Sequence, residues 1–363
     1  MKYKHGGNVY RAAKKYNLKP EDFLDFSSNT NPLGPPPDVA EILQNSLPLI
    51  TSYPEPDCET LKKTGSDFFG VSPEELTFSN GAVELIYLVF QVLHPRVVLI
   101  PGPTFREYEI AAHLWKGRVK HFRLSPRKDF RLDIQALTAA ARNVELVFLC
   151  NPNNPTGKLV PPEVLVPFLD FCRQHSIFVV VDESYLLFHP NWRELSCIPK
   201  IEENKNLLVL HSLTKIFGVP GIRVGCGVAH KDTIKQFRKH QIPWRVNAIA
   251  QEVAKAGFRS DDYLFRTQQV VAKEKEFLGR ELSGVPGLSP YPSEANFLLV
   301  RLEAPLTATY LEDELGKRKV LVRNCNNFGF LGEHFIRIAV RKHQDNLFLL
   351  EQVKKILGRG GSR

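Results

Sequence analysis

Three short apolar runs in this sequence stop at residues that could do chemistry. The run ending at Cys150 is followed by Asn151-Pro-Asn-Asn-Pro-Thr-Gly157, the next by Asp182-Glu-Ser-Tyr185, and a third by Ser212-Leu-Thr-Lys215. A lysine that closes an apolar run is desolvated, and Arg223, in the stretch Phe217-Gly-Val-Pro-Gly-Ile-Arg-Val-Gly225, further disfavours its ammonium form. The neutral amine that results is a nucleophile for an aldehyde. A ring that draws electrons from a substrate carbon through a protonated pyridine needs such an amine, and a carboxylate beside its nitrogen. Lys215 and Asp182 supply both. Asn154 and Tyr185 add an amide and a phenol able to hydrogen-bond a ring oxygen. The catalytic candidates are therefore Lys215, Asp182 and Tyr185.

An anionic arm on such a molecule needs donors as well. Ser79-Asn-Gly-Ala82 opens the apolar helical run that ends at Leu93, and the first N–H groups of a helix lack partners within it, so they point at any anion placed there. Gly81, Ala82 and Val83 are the backbone candidates. Ser212 and Arg223 complete the cup, the planar guanidinium matching phosphate oxygens. Taken singly, each motif has a plain structural use, since Asn-Pro clusters make turns and an aspartate at a strand end caps. Their succession at three strand ends is what favours a shared pocket. No G-x-x-x-x-G-K-[ST] loop occurs, and no G-x-G-x-x-G opens a helix after a strand, which excludes the common nucleotide-binding loops.

The elements that must position these residues are legible as alternating patterns. Val97 to Ile100, Val144 to Cys150, Ile177 to Val181, Leu207 to His211 and Val224 to Ala229 read as buried strands, and Pro162 to His175 as a helix between two of them. This predicts an α/β fold with a mostly parallel sheet between helices, its ligand lying beyond the carboxyl ends of the strands. A long helical pattern runs from Asn247 to Leu282 and is broken by Gly284-Val-Pro-Gly287. A smaller α/β lobe follows, with strands at Asn296 to Leu302 and Phe335 to Val340 and a last helix near Asn346 to Leu357. A chain of 363 residues is long enough for two lobes.

With 43% hydrophobic and 24% charged residues, and no apolar run long enough to span a bilayer, the chain reads as a soluble protein with no membrane partner. The basic, polar start from Met1 to Tyr10 lacks the apolar core of a secretory signal, so a cytoplasmic location is expected. The six cysteines are scattered without a C-x-x-C pair, which speaks against a disulfide framework and against a metal site. The formal charge of +9 is dispersed rather than gathered in a stripe, and points to anionic small molecules rather than nucleic acid.

The order Asn-Pro-Thr-Gly, Asp-x-x-Tyr, Ser-x-x-Lys and Gly-x-Arg resembles the fold-type I pyridoxal 5′-phosphate (PLP) enzymes of the aspartate-aminotransferase superfamily, over nearly the whole chain. The resemblance implies PLP as the cofactor, joined to Lys215. It also implies a large PLP-binding domain at 29–255, a small C-terminal domain at 256–363, and an N-terminal arm at 1–28 associated with the small domain. Phe105, in Pro103-Thr-Phe105, is implied to stack on the cofactor ring, and Arg337, in Phe335-Ile-Arg-Ile338, to bind a substrate carboxylate. Tyr53-Pro-Glu-Pro is similar to a segment of histidinol-phosphate aminotransferases whose tyrosine reaches the cofactor phosphate of the other subunit, so a homodimer with shared active sites is implied.

His5-Gly-Gly-Asn8, Asp25-Phe-Ser-Ser-Asn-Thr-Asn-Pro-Leu-Gly34 and Val322-Arg-Asn-Cys-Asn-Asn-Phe328 look like segments of the threonine-phosphate decarboxylases of cobalamin biosynthesis. That resemblance implies decarboxylation of L-threonine O-3-phosphate, or of L-serine O-phosphate, to an amino-alcohol phosphate. The substrate phosphate is then expected to meet His5, Asn31 and Arg323, with Asn154 and Arg337 also on the substrate. An aminotransferase of the histidinol-phosphate type, working with 2-oxoglutarate, is the alternative. A non-catalytic regulator on the same fold would carry an added DNA-binding segment, and the motifs here begin at His5 and end near Arg337.

Overall fold

The computed structural model describes residues 6–358. Two sheets of very different construction divide the work. The larger has seven strands among the described residues, in the order Leu76–Ser79, Gly225–Ala229, Leu207–His211, Phe178–Asp182, Leu146–Cys150, Val97–Gly102 and Arg118–Arg123. The pairings from Leu207–His211 through to Arg118–Arg123 are all parallel. Gly225–Ala229 runs antiparallel to both of its neighbours.

The central strands are apolar up to their last residues because both of their faces are covered. Val147, Leu149, Val179, Val181 and Val209 enter one core, while Leu146, Phe148, Val180, Leu208 and Leu210 enter another on the opposite face. Parallel strands in register end together: Cys150 pairs with Asp182, and Asp182 with Leu210. The segments that leave these three strands therefore emerge at one edge of the sheet.

The smaller sheet has the order Arg323–Asn324, Phe335–Ala339, Phe297–Leu302 and Leu288–Pro290, and is antiparallel throughout. Helices Ala308–Gly316 and His343–Gly358 pack against it around Val300, Leu311, Ile336 and Leu349. The amino-terminal segment joins this lobe. Leu24–Asp25 pairs in parallel with Val320–Leu321, and Phe26 is fully buried in the small core.

Where one helical run was expected from Asn247 to Leu282, two helices form, Ala248–Phe258 and Asp261–Ser283. Asp261 and Asp262 favour a fresh helix start, since their charges sit where the N-terminal dipole is positive. The second of these helices bridges the lobes. Its Tyr263, Leu264 and Val271 lie in the large core, and its Leu278 and Leu282 in the small one. The boundary expected between residues 255 and 256 falls inside Ala248–Phe258, whose last residue still packs in the large core.

Candidate active site

The site lies where the large sheet's carboxyl edge faces the small lobe. A chamber of about 420 Å³ is lined by Gly6, Asn29, Phe105, Asn154, Lys215 and Arg337 among others. An inner cleft of about 120 Å³ continues from it, lined by Ala82, Val83, Asp182, Ser212, Lys215 and Arg223.

Lys215 sits on the one-turn helix Leu213–Ile216 that follows strand Leu207–His211, and it opens into both spaces. Burial lowers its pKa to about 8, with the positive charges of Arg337 and Arg223 acting in the same direction. Near neutral pH a usable fraction of this amine is unprotonated, which is what attack on a carbonyl requires.

Asp182 ends strand Phe178–Asp182 and is buried. Its Oδ1 accepts from the Ser184 backbone N–H at 3.0 Å and the Ser184 hydroxyl at 2.5 Å. Its Oδ2 accepts from the Tyr108 hydroxyl at 2.5 Å. Burial pushes the carboxyl's pKa up, and these three hydrogen bonds oppose that by stabilising the charged form.

The helix Ala82–Leu93 starts at the cleft, so the N–H groups of Ala82 and Val83 have no residue four places back within the helix to bond. Gly81 and Gly225 keep this corner clear. A Cβ on Gly81, which has φ +84°, would lie 2.3 Å from Nη2 of Arg223, and one on Gly225 would lie 2.3 Å from the Ala82 nitrogen. Ser212 shares a hydrogen bond with Thr214 at 3.0 Å beside them. The result is a small donor-lined corner next to a guanidinium.

Asn154 and Tyr185 stand together, with 3.5 Å between Nδ2 and the phenol oxygen. Burial raises the Tyr185 phenol to about 12, so it stays a donor at any physiological pH. Phe105 lines both spaces as an aromatic wall.

The opposite wall comes from the small lobe and the amino-terminal segment. Arg337, on strand Phe335–Ala339, is buried and donates from Nη1 to Asn154 Oδ1 at 2.6 Å and from Nη2 to the Ser27 carbonyl at 2.7 Å. Its Nε has no acceptor among the described residues. Arg323 is also buried, lies over the Phe328 ring at 5.1 Å, and donates to Asn327 at 2.6 Å. Burial, and after it the neighbouring Arg337, lower its pKa to about 10.

Asn31 does not reach this wall. Its Nδ2 is spent on the Ile216 carbonyl, the Tyr263 hydroxyl and Thr267, and its Oδ1 accepts from the Leu33 N–H. It braces the turn behind Lys215, whose carbonyl accepts from the Asn31 backbone N–H at 3.0 Å. Asn29 takes the lining position instead. It is 1% exposed, and its amide lies beside the Tyr185 phenol. Tyr53 is 82% exposed and lies tilted against Trp244, with ring centroids 4.8 Å and planes 33° apart, away from its own chain's pocket. His5 lies outside the described residues. Reading the sequence also missed Tyr108, the partner of Asp182, which no local pattern marks.

Residues 21–353 match the family described as aminotransferase class I and II, and the chain belongs to that family. Its members are PLP enzymes, and PLP is the cofactor of this chain. The cleared corner at Gly81 and Gly225, the buried amine and the buried carboxylate fit that group. A threonine-phosphate decarboxylase of Salmonella typhimurium is 32% identical, over 97% of this chain and 96% of that protein. A histidinol-phosphate aminotransferase of Methanocaldococcus jannaschii is 31% identical, over 98% of this chain and 94% of that one. The crystal structure of L-threonine-O-3-phosphate decarboxylase from Porphyromonas gingivalis superposes with a TM-score of 0.82 at 27% identity, over 92% of this chain and 99% of that chain.

Proposed function

We propose that this PLP enzyme decarboxylates an O-phospho-L-amino acid, L-threonine O-3-phosphate or its smaller analogue L-serine O-phosphate. The observation that carries the reading is the pair of buried guanidiniums, Arg323 and Arg337, on the wall facing Lys215. Two buried cations beyond the one at the cofactor corner suit a substrate with two separate anionic groups. A phosphorylated amino acid has them.

In this reading Lys215 would hold the cofactor through its aldehyde, Asp182 would pair with its ring nitrogen, Asn154 and Tyr185 would serve its ring oxygen, and Phe105 would wall the ring. The N–H groups of Ala82 and Val83, with Ser212 and Arg223, would hold its phosphate, while the Gly81 N–H is already donated to the Ser79 carbonyl at 2.8 Å. When bound, the cofactor supplies a ring into which the electrons of a broken Cα bond pass. Arg337, with Nε as a spare donor and Asn154 steadying its fork, receives the substrate carboxylate and orients the bond to be broken. Arg323 and Asn29 take the distal phosphate. Once released by the incoming substrate amine, Lys215 Nζ is placed to deliver a proton to Cα. With its carboxylate lost as carbon dioxide and a proton gained at Cα, L-threonine O-3-phosphate would leave as (R)-1-amino-2-propanol O-2-phosphate. Threonine and serine phosphates differ by one methyl, worth about 1–3 kcal/mol in a fitted pocket.

The competing reading is amine transfer on histidinol phosphate with 2-oxoglutarate, and similarity favours neither, at 32% against 31% identity. Incubation with L-threonine O-3-phosphate decides between them. Carbon dioxide released without any keto acid supports the decarboxylase; amine transfer that requires 2-oxoglutarate overturns it.

We also propose a homodimer in which Tyr53 reaches the partner's cofactor phosphate. Exposed Leu47, Ile50, Tyr53, Ile242 and Trp244 support it, being an unusual amount of apolar surface to leave in water. The lobes are assigned as an arm at 1–28, a large domain at 29–255 and a small domain from 256, and the cytoplasm is the proposed compartment.

A further inference from the structure

We infer that Tyr108 is a positioning residue, holding the Asp182 carboxylate in line with the cofactor's ring nitrogen and tying it to the aromatic wall at Phe105. The inference rests on the reading that Asp182 faces that nitrogen. Tyr108 lies in the first turn of helix Glu107–Leu114 and is completely buried. Its ring stacks on Phe148 with centroids 4.7 Å apart and planes 10° apart, and meets Phe105 edge-on at 5.6 Å and 83°. Stacking on a residue inside strand Leu146–Cys150 fixes the phenol's direction. Its hydroxyl then falls 2.5 Å from Asp182 Oδ2.

The two oxygens of Asp182 are held differently. Oδ1 is fixed by Ser184, two residues away, through both backbone and hydroxyl. Oδ2 is fixed from another part of the chain, by Tyr108 alone among the described residues. Local contacts from Ser184 leave rotation about the carboxyl bond poorly defined, whereas a second donor from a rigid helix sets the plane of the group. A donor on Oδ2 also favours the charged carboxylate in a dry site, which keeps the shared proton on the ring nitrogen. Burial holds the Tyr108 phenol far above its ordinary pKa, so it remains a donor throughout the working range.

Tyr108→Phe keeps both ring contacts and removes only the hydroxyl. Binding of PLP to the apoenzyme is measured alongside binding of the 1-deaza analogue, which has carbon in place of the ring nitrogen. The substitution is expected to weaken PLP binding about tenfold, the loss of one charge-assisted hydrogen bond, and to leave deaza-analogue binding within about twofold. Equal losses for both ligands would mean that Tyr108 is only packing, and no loss for either would mean that it does not act on Asp182; both overturn the inference. In an Asp182→Asn background, Tyr108→Phe is expected to change PLP binding by less than about twofold, and a full tenfold loss there would also overturn it. A wild-type protein that binds PLP and the deaza analogue equally well would instead remove the assignment of Asp182 to the nitrogen.

Discussion

The two walls of the pocket are built by opposite means. On the sheet side, Asn154, Asp182, Ser212 and Lys215 follow neighbouring parallel strands, so one register places all of them. On the facing side, Arg337 reaches Ser27 across 310 positions of sequence and Asn154 across 183. The first wall is specified by local pattern, and the second only by how two lobes meet. A common cofactor can be served by the rigid wall, while substrate choice is left to the wall assembled at the junction.

If that division holds, damage to each wall should have a different signature. The largest effect is expected from Lys215→Ala, with turnover falling by about a thousandfold or more and the visible absorbance of bound PLP lost while the fold persists. A variant that kept its absorbance and its rate would break the comparison at its root. Next comes Arg337→Gln. Removing one partner of a buried charged contact costs about 2–5 kcal/mol, so KM for the phospho-amino acid should rise about a hundredfold or more. Cofactor affinity, measured by titrating PLP into apoenzyme, should stay close to that of the wild type. A parallel loss of PLP would show that the two walls are one unit.

A smaller effect concerns stability, and its sign follows from Lys215. Folding lowers this amine's pKa from 10.5 to about 8, so the unfolded chain binds more protons between those values. Stability of the apoenzyme therefore rises with pH across that window, and the cost of burying the charge is fully felt below about pH 8. Lys215→Met removes that cost and should stabilise the apoenzyme by about 3 kcal/mol at pH 7, with the gain shrinking towards pH 10.5. Urea midpoints at the two pH values check it. A gain independent of pH would mean that packing, not charge, is responsible.

The same division explains what the sequence disclosed. The centre of the large sheet was legible because its strands are apolar runs such as Leu146-Val-Phe-Leu-Cys150, and the residues that follow them stood out by contrast, whereas the edge strands Leu76–Ser79 and Arg118–Arg123 were missed, the second because its residues are mostly basic and exposed. The break at Arg259–Ser260 was missed because apolar periodicity continues through it, and only Asp261-Asp262 signals a new start. Tyr108 was missed because a buried tyrosine on a helix has no local mark of its partner, which lies 74 positions away.

Asn29 and Asn31 put the smallest prediction on the point where the reading went astray. In regular extended chain, residues two apart share a face, so a wall that took Asn31 would take Asn29 as well, although only Asn31 was singled out. The chain is not regular there. Asn31 accepts from the Leu33 N–H, closing a turn that rotates its side chain into the large lobe beside Tyr263 and Thr267. Asn29 stays facing the chamber with its amide beside the Tyr185 phenol, whose charged form it favours by hydrogen bonding. Asn29→Ala should therefore raise KM for the phospho-amino acid about tenfold, the worth of roughly one hydrogen bond to a charged group, and leave the melting temperature nearly unchanged. Asn31→Ala removes several buried hydrogen bonds and should destabilise the fold by about 1–3 kcal/mol, with a much smaller change in KM. Thermal melts and initial rates on the two variants separate these outcomes. A KM effect confined to Asn31→Ala would return the substrate to that residue and make the turn at Leu33 a feature of the unliganded chain.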